Sequence, residues 1–201
     1  MNPIPRIVLA SASPRRADLL RQMGLEAGVR PAHVDESYLA GEGAEAHVER
    51  LARMKAEAVS SSEPGALVVG GDTVVVDRGR VLGKPRDREE AVAMLLSLAG
   101  RTHTVLTGIA LAGPSGTVSA VGRASVHFRA FGPDEARAYA ETGEPLDKAG
   151  AYGIQGLGAA LVDGIDGDYY TVVGFPIGCF IELLARSGWR YAFGNLNPID
   201  S

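Results

Sequence analysis

Two hydroxyls and two guanidiniums stand almost side by side in Leu9-Ala10-Ser11-Ala12-Ser13-Pro14-Arg15-Arg16. Arg6-Ile7-Val8-Leu9-Ala10 reads as a short buried strand, Ser13 has N-cap chemistry, and Pro14 suits the first helical position. Both arginines therefore fall in the first turn of a helix, where the macrodipole disfavours cations. Stability alone would place Asp or Glu there. Free backbone N–H groups, hydroxyls and guanidiniums at one strand-to-helix turn make an anion site, most simply for phosphate. The competing reading is a basic surface turn.

Other chemistry-bearing residues are spread along the chain. Asp72 follows Ala66-Leu67-Val68-Val69-Gly70-Gly71, which reads as a buried strand ending at Asp72. The carboxyl edge of a sheet is where α/β proteins place catalytic or metal-binding groups, although a turn-capping Asp has the same local pattern. Glu36, in the acidic turn Val34-Asp35-Glu36-Ser37, is a second exposed carboxylate that by itself could be plain solvated surface. Two carboxylates opposite a phosphate cradle suffice for hydrated Mg²⁺, which takes one or two carboxylates plus phosphate oxygens and waters. Lys55 falls on the apolar side of its helix, so it either snorkels or points at an anion. Gly83-Lys84-Pro85 is a constrained turn presenting Lys84, and either lysine alone is ordinary surface. In Gly153-Ile154-Gln155-Gly156, Gln155 offers a donor and an acceptor suited to a pyrimidine edge, or is a polar loop residue.

Several function classes drop out. A chain of 201 residues with net charge -4 lacks the broad basic footprint of a nucleic-acid polymer or anionic-membrane binder. The lone Cys179 excludes an internal disulfide and a Cys-based zinc cluster, and its apolar surroundings predict a buried, inert thiol. His33, His47, His103 and His127 lack metal-ligand spacing and read as structural. Neither the P-loop nor the dinucleotide glycine fingerprint is present. With no signal-peptide pattern and no membrane-length apolar run, the expected compartment is cytoplasmic.

Positioning these groups requires an α/β chain with a mixed sheet. Helices are expected from Pro14 to about Met23, over Ala44–Ser60, from Asp87 to Gly100, from Pro133 to Glu141 and over Pro176–Arg186. Extended segments are expected near Val29–His33, over Thr73–Asp77 and Arg80–Leu82 as a hairpin, and over Ala159–Val162. Thr102–Ala112 and Val118–Phe131, joined by Gly113-Pro114-Ser115-Gly116, read as an antiparallel pair. The segment Gly143–Gly158 is glycine-rich and irregular, as suits a loop approaching a ligand. One domain spanning residues 1–201 is expected.

In order along the chain, Ser11-Ala12-Ser13-Pro14-Arg15-Arg16, Asp35-Glu36, Leu51-Ala52-Arg53-Met54-Lys55-Ala56, Gly71-Asp72-Thr73, Gly83-Lys84-Pro85 and Asp147–Gly156 resemble the Maf family of nucleoside triphosphate pyrophosphatases. The resemblance runs from about Arg6 to about Leu184. It implies an elongated fold similar to that of inosine triphosphate pyrophosphatases, with a nucleotide cleft between two lobes. It further implies metal-dependent hydrolysis, by Mg²⁺ or Mn²⁺, of a nucleoside triphosphate to the monophosphate and pyrophosphate. Ser11, Arg16, Lys55 and Lys84 match the family's substrate-binding positions. Glu36 and Asp72 match its metal site, with Asp72 the proton acceptor. Arg15, Thr73 and Gln155 match the subgroup similar to dTTP/UTP pyrophosphatases; the 7-methyl-GTP subgroup has Trp, Gln and Glu there. A homodimer is compatible with the resemblance. A nucleotidyltransferase and a non-catalytic nucleotide-sensing regulator of cell division are the alternatives.

Overall fold

The structure is a computed structural model describing residues 5–199. Its first elements follow local rules. β1 (Ile7–Leu9) is buried, and Pro14 opens α1 (Pro14–Gln22), where its missing N–H costs no helical bond. Ser13 holds the N-cap position in extended backbone, yet its hydroxyl makes no capping bond. Gly24 ends the helix at φ +73°. Its N–H bonds the Arg21 carbonyl and that of Leu25 bonds Leu20, the full Schellman pattern.

After β2 (Ala27–Val29) comes α2 (Ala44–Ser60), which buries His47, Val48, Leu51, Ala52, Lys55, Ala56 and Val59 along one side. β3 (Leu67–Asp77) turns through Arg78 and Gly79 into β4 (Arg80–Leu82). Both turn residues have positive φ, +48° and +76°, as a two-residue type I′ hairpin requires. In α3 (Arg88–Leu98), the Asp87 side chain caps the helix by accepting the Glu90 N–H at 2.8 Å. β5 (Thr102–Gly113) and β6 (Gly116–Phe128) are neighbours joined by only Pro114 and Ser115, a link that permits only an antiparallel pair. α4 (Pro133–Glu141), three short 3₁₀ turns, β7 (Val162–Gly167), α5 (Tyr169–Val173), α6 (Ile177–Arg186) and the hairpin β8 (Trp189–Tyr191)–β9 (Leu196–Pro198) complete the chain.

Among the described residues the main sheet has seven strands, in the order β2-β1-β3-β5-β6-β7 with β4 on β3. β1 pairs in parallel with β2 and β3, whereas β3–β4 and β6–β7 are antiparallel, so the fold is mixed α/β. The residues group into two compact units. One contains the chain up to Asp72, Thr107–Gly122 and the chain from Gly174; the other contains Thr73–Leu106 and Arg123–Val173. In the first, one cluster packs small residues, including Ala10, Ala52, Ala56, Ala66 and Ala110, and Leu20, Leu51, Phe175 and Phe180 are fully buried as well. The second packs Leu95, Leu98, Phe128, Tyr139 and Tyr152.

Four expectations need correction. The strand does not end at Asp72: β3 runs on to Asp77, and the two glycines before Asp72 serve close packing instead of a break. Residues 157–161 form a 3₁₀ turn, and the strand lies further on, at Val162–Gly167. The extended piece near Val29–His33 is β2 at Ala27–Val29, set by parallel pairing with β1. Cys179 is half-buried on α6, not fully enclosed.

Candidate active site

Within the first unit, α2 lies so close to the sheet that glycines are obligatory beneath it. A Cβ at Gly70 on β3 would come within 2.1 Å of the Ala52 carbonyl oxygen. One at Gly108 on β5 would come within 2.2 Å of the Val48 carbonyl oxygen. This contact brings Lys55, buried in the middle of α2, to Asp72 on β3: Nζ donates to Asp72 Oδ1 at 2.8 Å. The same ammonium lies 2.6 Å from Glu36 Oε1. Lys55 thus joins two carboxylates from a loop and a strand far apart in sequence. The Asp72 side chain is 14% exposed and that of Glu36 59%, so the pair is open on the Glu36 side.

Arg16 is held in the same unit from two directions. Its Nε donates to the Gly174 carbonyl at 2.8 Å and its Nη1 to Ser11 Oγ at 2.9 Å. Ser11 Oγ also accepts the Ser13 N–H at 3.2 Å. The guanidinium passes over Gly71, where a Cβ would meet Nε at 3.2 Å. Burial pulls the Arg16 pKa down, opposed by Asp72 and Glu36 and reinforced by Arg15. An arginine remains a cation under such a shift, so the site keeps a fixed positive group. Ser11, Arg16, Glu36, Lys55 and Asp72 are therefore all placed within one unit, with Arg15 half-buried beside Arg16 on α1.

The segment bearing Glu36 has no regular secondary structure, and side chains of α2 hold it down. Arg50 donates through Nε and Nη2 to the two oxygens of Glu42, at 2.6 and 2.7 Å, and through Nη2 to the Ser37 carbonyl at 2.9 Å. Hydrogen bonds from Arg50 come first among the influences that hold the Glu42 carboxyl far below its usual range. His47 Nδ1 lies 2.9 Å from Glu42, and the Tyr38 ring stacks on His47 at 3.5 Å. The Asp35 carboxylate accepts the Ser37 N–H and hydroxyl, closing the acidic turn. Sequence reasoning passed over Glu42, Arg50 and Tyr38. The one local signal was His47 and Arg50 sharing a helix face, three residues apart.

Lys84, Thr73 and Gln155 belong to the second unit. Lys84 is exposed on its turn, which is tied down where the Gly83 carbonyl accepts the Gly150 N–H at 3.0 Å. Thr73 follows Asp72 on β3, and Gln155 is exposed between two 3₁₀ turns.

Glu36 and Asp72 suit a hydrated divalent cation. Hard oxygens from two elements already converge on one cationic atom, Lys55 Nζ. Among the described residues no group of three His, Cys, Asp or Glu side chains is gathered to hold a metal. Two protein carboxylates, with phosphate oxygens and water completing the shell, are the donor set Mg²⁺ accepts. Among the described residues no helix is long and apolar enough to cross a membrane.

The protein family described as Maf-like protein matches residues 6–187. The dTTP/UTP pyrophosphatase of Moorella thermoacetica is 53% identical over 187 residues, covering 91% of this chain and 95% of the relative. That of Myxococcus xanthus is 53% identical over 188 residues, covering 92% and 95%. Among solved structures, the Ham1 protein of Staphylococcus aureus aligns with 61% of this chain and 71% of its own, at 20% identity and a TM-score of 0.44.

Proposed function

This chain belongs to the Maf family, and on that premise we propose that it hydrolyses dTTP and UTP to the monophosphate and pyrophosphate. The observation that carries the reading is the junction of Glu36, Lys55 and Asp72 beside the Arg16–Ser11 pair. A binding protein for a triphosphate needs cations. It does not need two carboxylates gathered among them, which repel phosphate unless a metal or a proton transfer uses them.

In this mechanism water attacks the α-phosphorus, the bond to the α–β bridging oxygen breaks, and pyrophosphate leaves. Asp72 orients the water and accepts its proton. Glu36 and Asp72 would hold Mg²⁺ or Mn²⁺, which would supply Lewis-acid polarisation of the phosphate. Arg16 and Lys55 neutralise phosphate charge as it shifts in the transition state, with Lys84 as a third cation. Ser11 and the N-terminal N–H groups of α1 keep the phosphates in register. Lys55 answers its carboxylates in the structure, so substrate binding exchanges one set of anionic partners for another. Arg15, Thr73 and Gln155 select the base, Gln155 by donating to a pyrimidine carbonyl and accepting from the ring N–H. The compartment that fits the single cysteine is the reducing cytoplasm. Sedimentation of the purified chain decides between monomer and homodimer.

The test is to incubate the protein with one nucleotide at a time and Mg²⁺ or Mn²⁺, and to identify the products. dTMP or UMP with pyrophosphate, formed without an acceptor, is the expected result. Orthophosphate release, turnover only with an acceptor, or binding without turnover would each overturn the reading.

A further inference from the structure

The turn carrying Gln155 is tied at both ends to one carboxylate and one phenol. At its entry the Gly153 N–H donates to Tyr139 Oη at 3.0 Å. At its exit the Leu157 and Gly158 N–H groups donate to Glu144 Oε2 and Oε1, at 2.9 and 3.1 Å. The Tyr139 hydroxyl donates to Glu144 Oε1 at 2.7 Å, which closes the ring of bonds. Lys148 anchors the base of this post, its Nζ donating to the Glu144 backbone carbonyl at 2.7 Å and to Asp147 Oδ1 at 2.6 Å.

The glycines of Gly153-Ile154-Gln155-Gly156-Leu157-Gly158 now have a steric reason. A Cβ at Gly156 would lie 2.4 Å from Glu144 Oε2. One at Gly158 would lie 2.5 Å from Tyr139 Oη, and one at Gly153 2.7 Å from Lys148 Cε. At Gly158 the Gly153 backbone oxygen also stands within 2.8 Å, and a side chain at Gly153 or Gly156 would have to push the Lys148 or Glu144 side chain off the post. Apolar packing does little of this work: Gln155 and Gly156 are exposed and Leu157 is 62% exposed, while Ile154 is partly buried against the unit's core. Protonation states favour the arrangement. Burial by itself would raise the Glu144 carboxyl, but hydrogen bonds from Tyr139, Leu157 and Gly158, with the Lys148 charge, hold it below its usual range. Burial and the bond to Glu144 push the Tyr139 hydroxyl up. At neutral pH Glu144 is therefore an acceptor only and Tyr139 keeps its proton, the states this ring of bonds requires.

We propose that Glu144, acting with Tyr139, is a positioning residue for pyrimidine selection: it holds the Gln155 turn in the one backbone shape that presents the Gln155 amide to the base. The inference rests on the assignment of Gln155 as a base reader. Glu144 touches neither substrate nor the reacting atoms in this scheme, and a disordered turn would weaken selection while leaving the phosphate chemistry intact.

The experiment measures kcat and KM for dTTP, UTP and dCTP in the wild type, Glu144→Gln, Tyr139→Phe and Gln155→Ala. It adds hydrogen exchange at the Leu157 and Gly158 amides. Glu144→Gln keeps the shape but turns an amide N–H₂ toward existing donors. Losing one such charge-assisted bond raises KM for dTTP and UTP about 10-fold, with kcat and the dCTP constants within about 2-fold. Exchange at Leu157 and Gly158 accelerates, and Tyr139→Phe shifts the preference the same way by a smaller factor, which keeps the test alive should Glu144→Gln fold poorly. Equal losses on dTTP and dCTP, or an unchanged preference with unchanged exchange, overturn the proposal. A preference that moves in Gln155→Ala but in neither Glu144→Gln nor Tyr139→Phe overturns it alone. A preference unmoved in Gln155→Ala overturns the base-reader assignment as well.

Discussion

Lys55 Nζ and Asp72 Oδ1 lie 2.8 Å apart because α2 rests on bare backbone at Gly70 and Gly108. The ammonium and the carboxylate belong to different elements, and the separation of those elements is set by the lack of two Cβ atoms. Several measurable consequences come from this arrangement and its supports.

Gly70→Ala should lift α2 from β3. The clashing atoms are backbone, the Ala52 oxygen at 2.1 Å and the Ala56 nitrogen at 2.7 Å, so no side chain can swing aside. Overpacking of this kind costs about 1–3 kcal/mol, which a urea midpoint reads directly. Displacing Lys55 by about 1 Å lowers kcat/KM for dTTP by up to about 10²-fold. A variant with native midpoint and native activity would contradict the glycine floor.

Asp72→Asn keeps the volume and removes the proposed proton acceptor. The chain should fold, and turnover of dTTP should fall by about 10²–10⁴-fold, the usual worth of a general base. Turnover equal to the wild type in a folded variant would strike Asp72 from the mechanism.

Glu42→Gln loosens the clamp on the Glu36 segment. Arg50 would lose its carboxylate partner and His47 a charged neighbour, while the apolar face of α2 stays intact. The expected outcome is a higher Mg²⁺ concentration for half-maximal rate, with the rate at saturating Mg²⁺ largely kept. An unchanged Mg²⁺ titration would show that Glu36 needs no such support.

Gln155→Glu replaces a donor and acceptor with an acceptor only. Hydrolysis of dTTP and UTP should weaken relative to other nucleotides in a panel. Constant relative rates would argue that the base is read elsewhere.

His103 governs an acid-side loss of stability. It is buried between Phe128 and Tyr152, with Nε2 2.8 Å from the Tyr152 hydroxyl and Nδ1 buried without a partner. Burial drops its pKa to about 4, against about 6.5 in an unfolded chain. Between those values the unfolded chain binds a proton that the native state refuses, so stability rises with pH across this window. It is lost as pH falls from about 6.5 through about 4, by roughly 3 kcal/mol. Urea midpoints of His103→Gln between pH 4 and 7 should show a flatter slope than the wild type; an equal slope would assign the effect to other groups.

Much of the framework was legible from local rules. The span of α2 and its buried face came from apolar spacing, the β3–β4 hairpin from a turn dipeptide, and the end of α1 from Gly24. The misreadings arise where a local pattern has two physical meanings. Gly70-Gly71 looked like the end of a strand, because a glycine needed for close approach and one needed for a turn are the same letter. Residues 159–161 looked extended because Ala159–Val162 is an apolar run, and nothing local shows that they continue a 3₁₀ turn whose first two N–H groups, on Leu157 and Gly158, are taken by Glu144.

The sequence by itself determined the helices α1 to α4 and α6, the β3–β4 and β5–β6 hairpins, the small-residue strand-to-helix turn at Ser11–Arg16 and the inventory of two carboxylates and several cations, while α5 and the β8–β9 hairpin carried no local signal. Those features depend on hydrogen bonds and side-chain periods only a few residues long, so they are written where they occur. The tertiary structure alone decided that Lys55 joins Glu36 to Asp72, that Arg50 clamps the Glu36 segment through Glu42, and that Glu144 shapes the Gln155 turn. Such contacts bring together groups remote in the chain or on separate elements, and their energies come from desolvation and charge in a place that does not exist until the chain has folded.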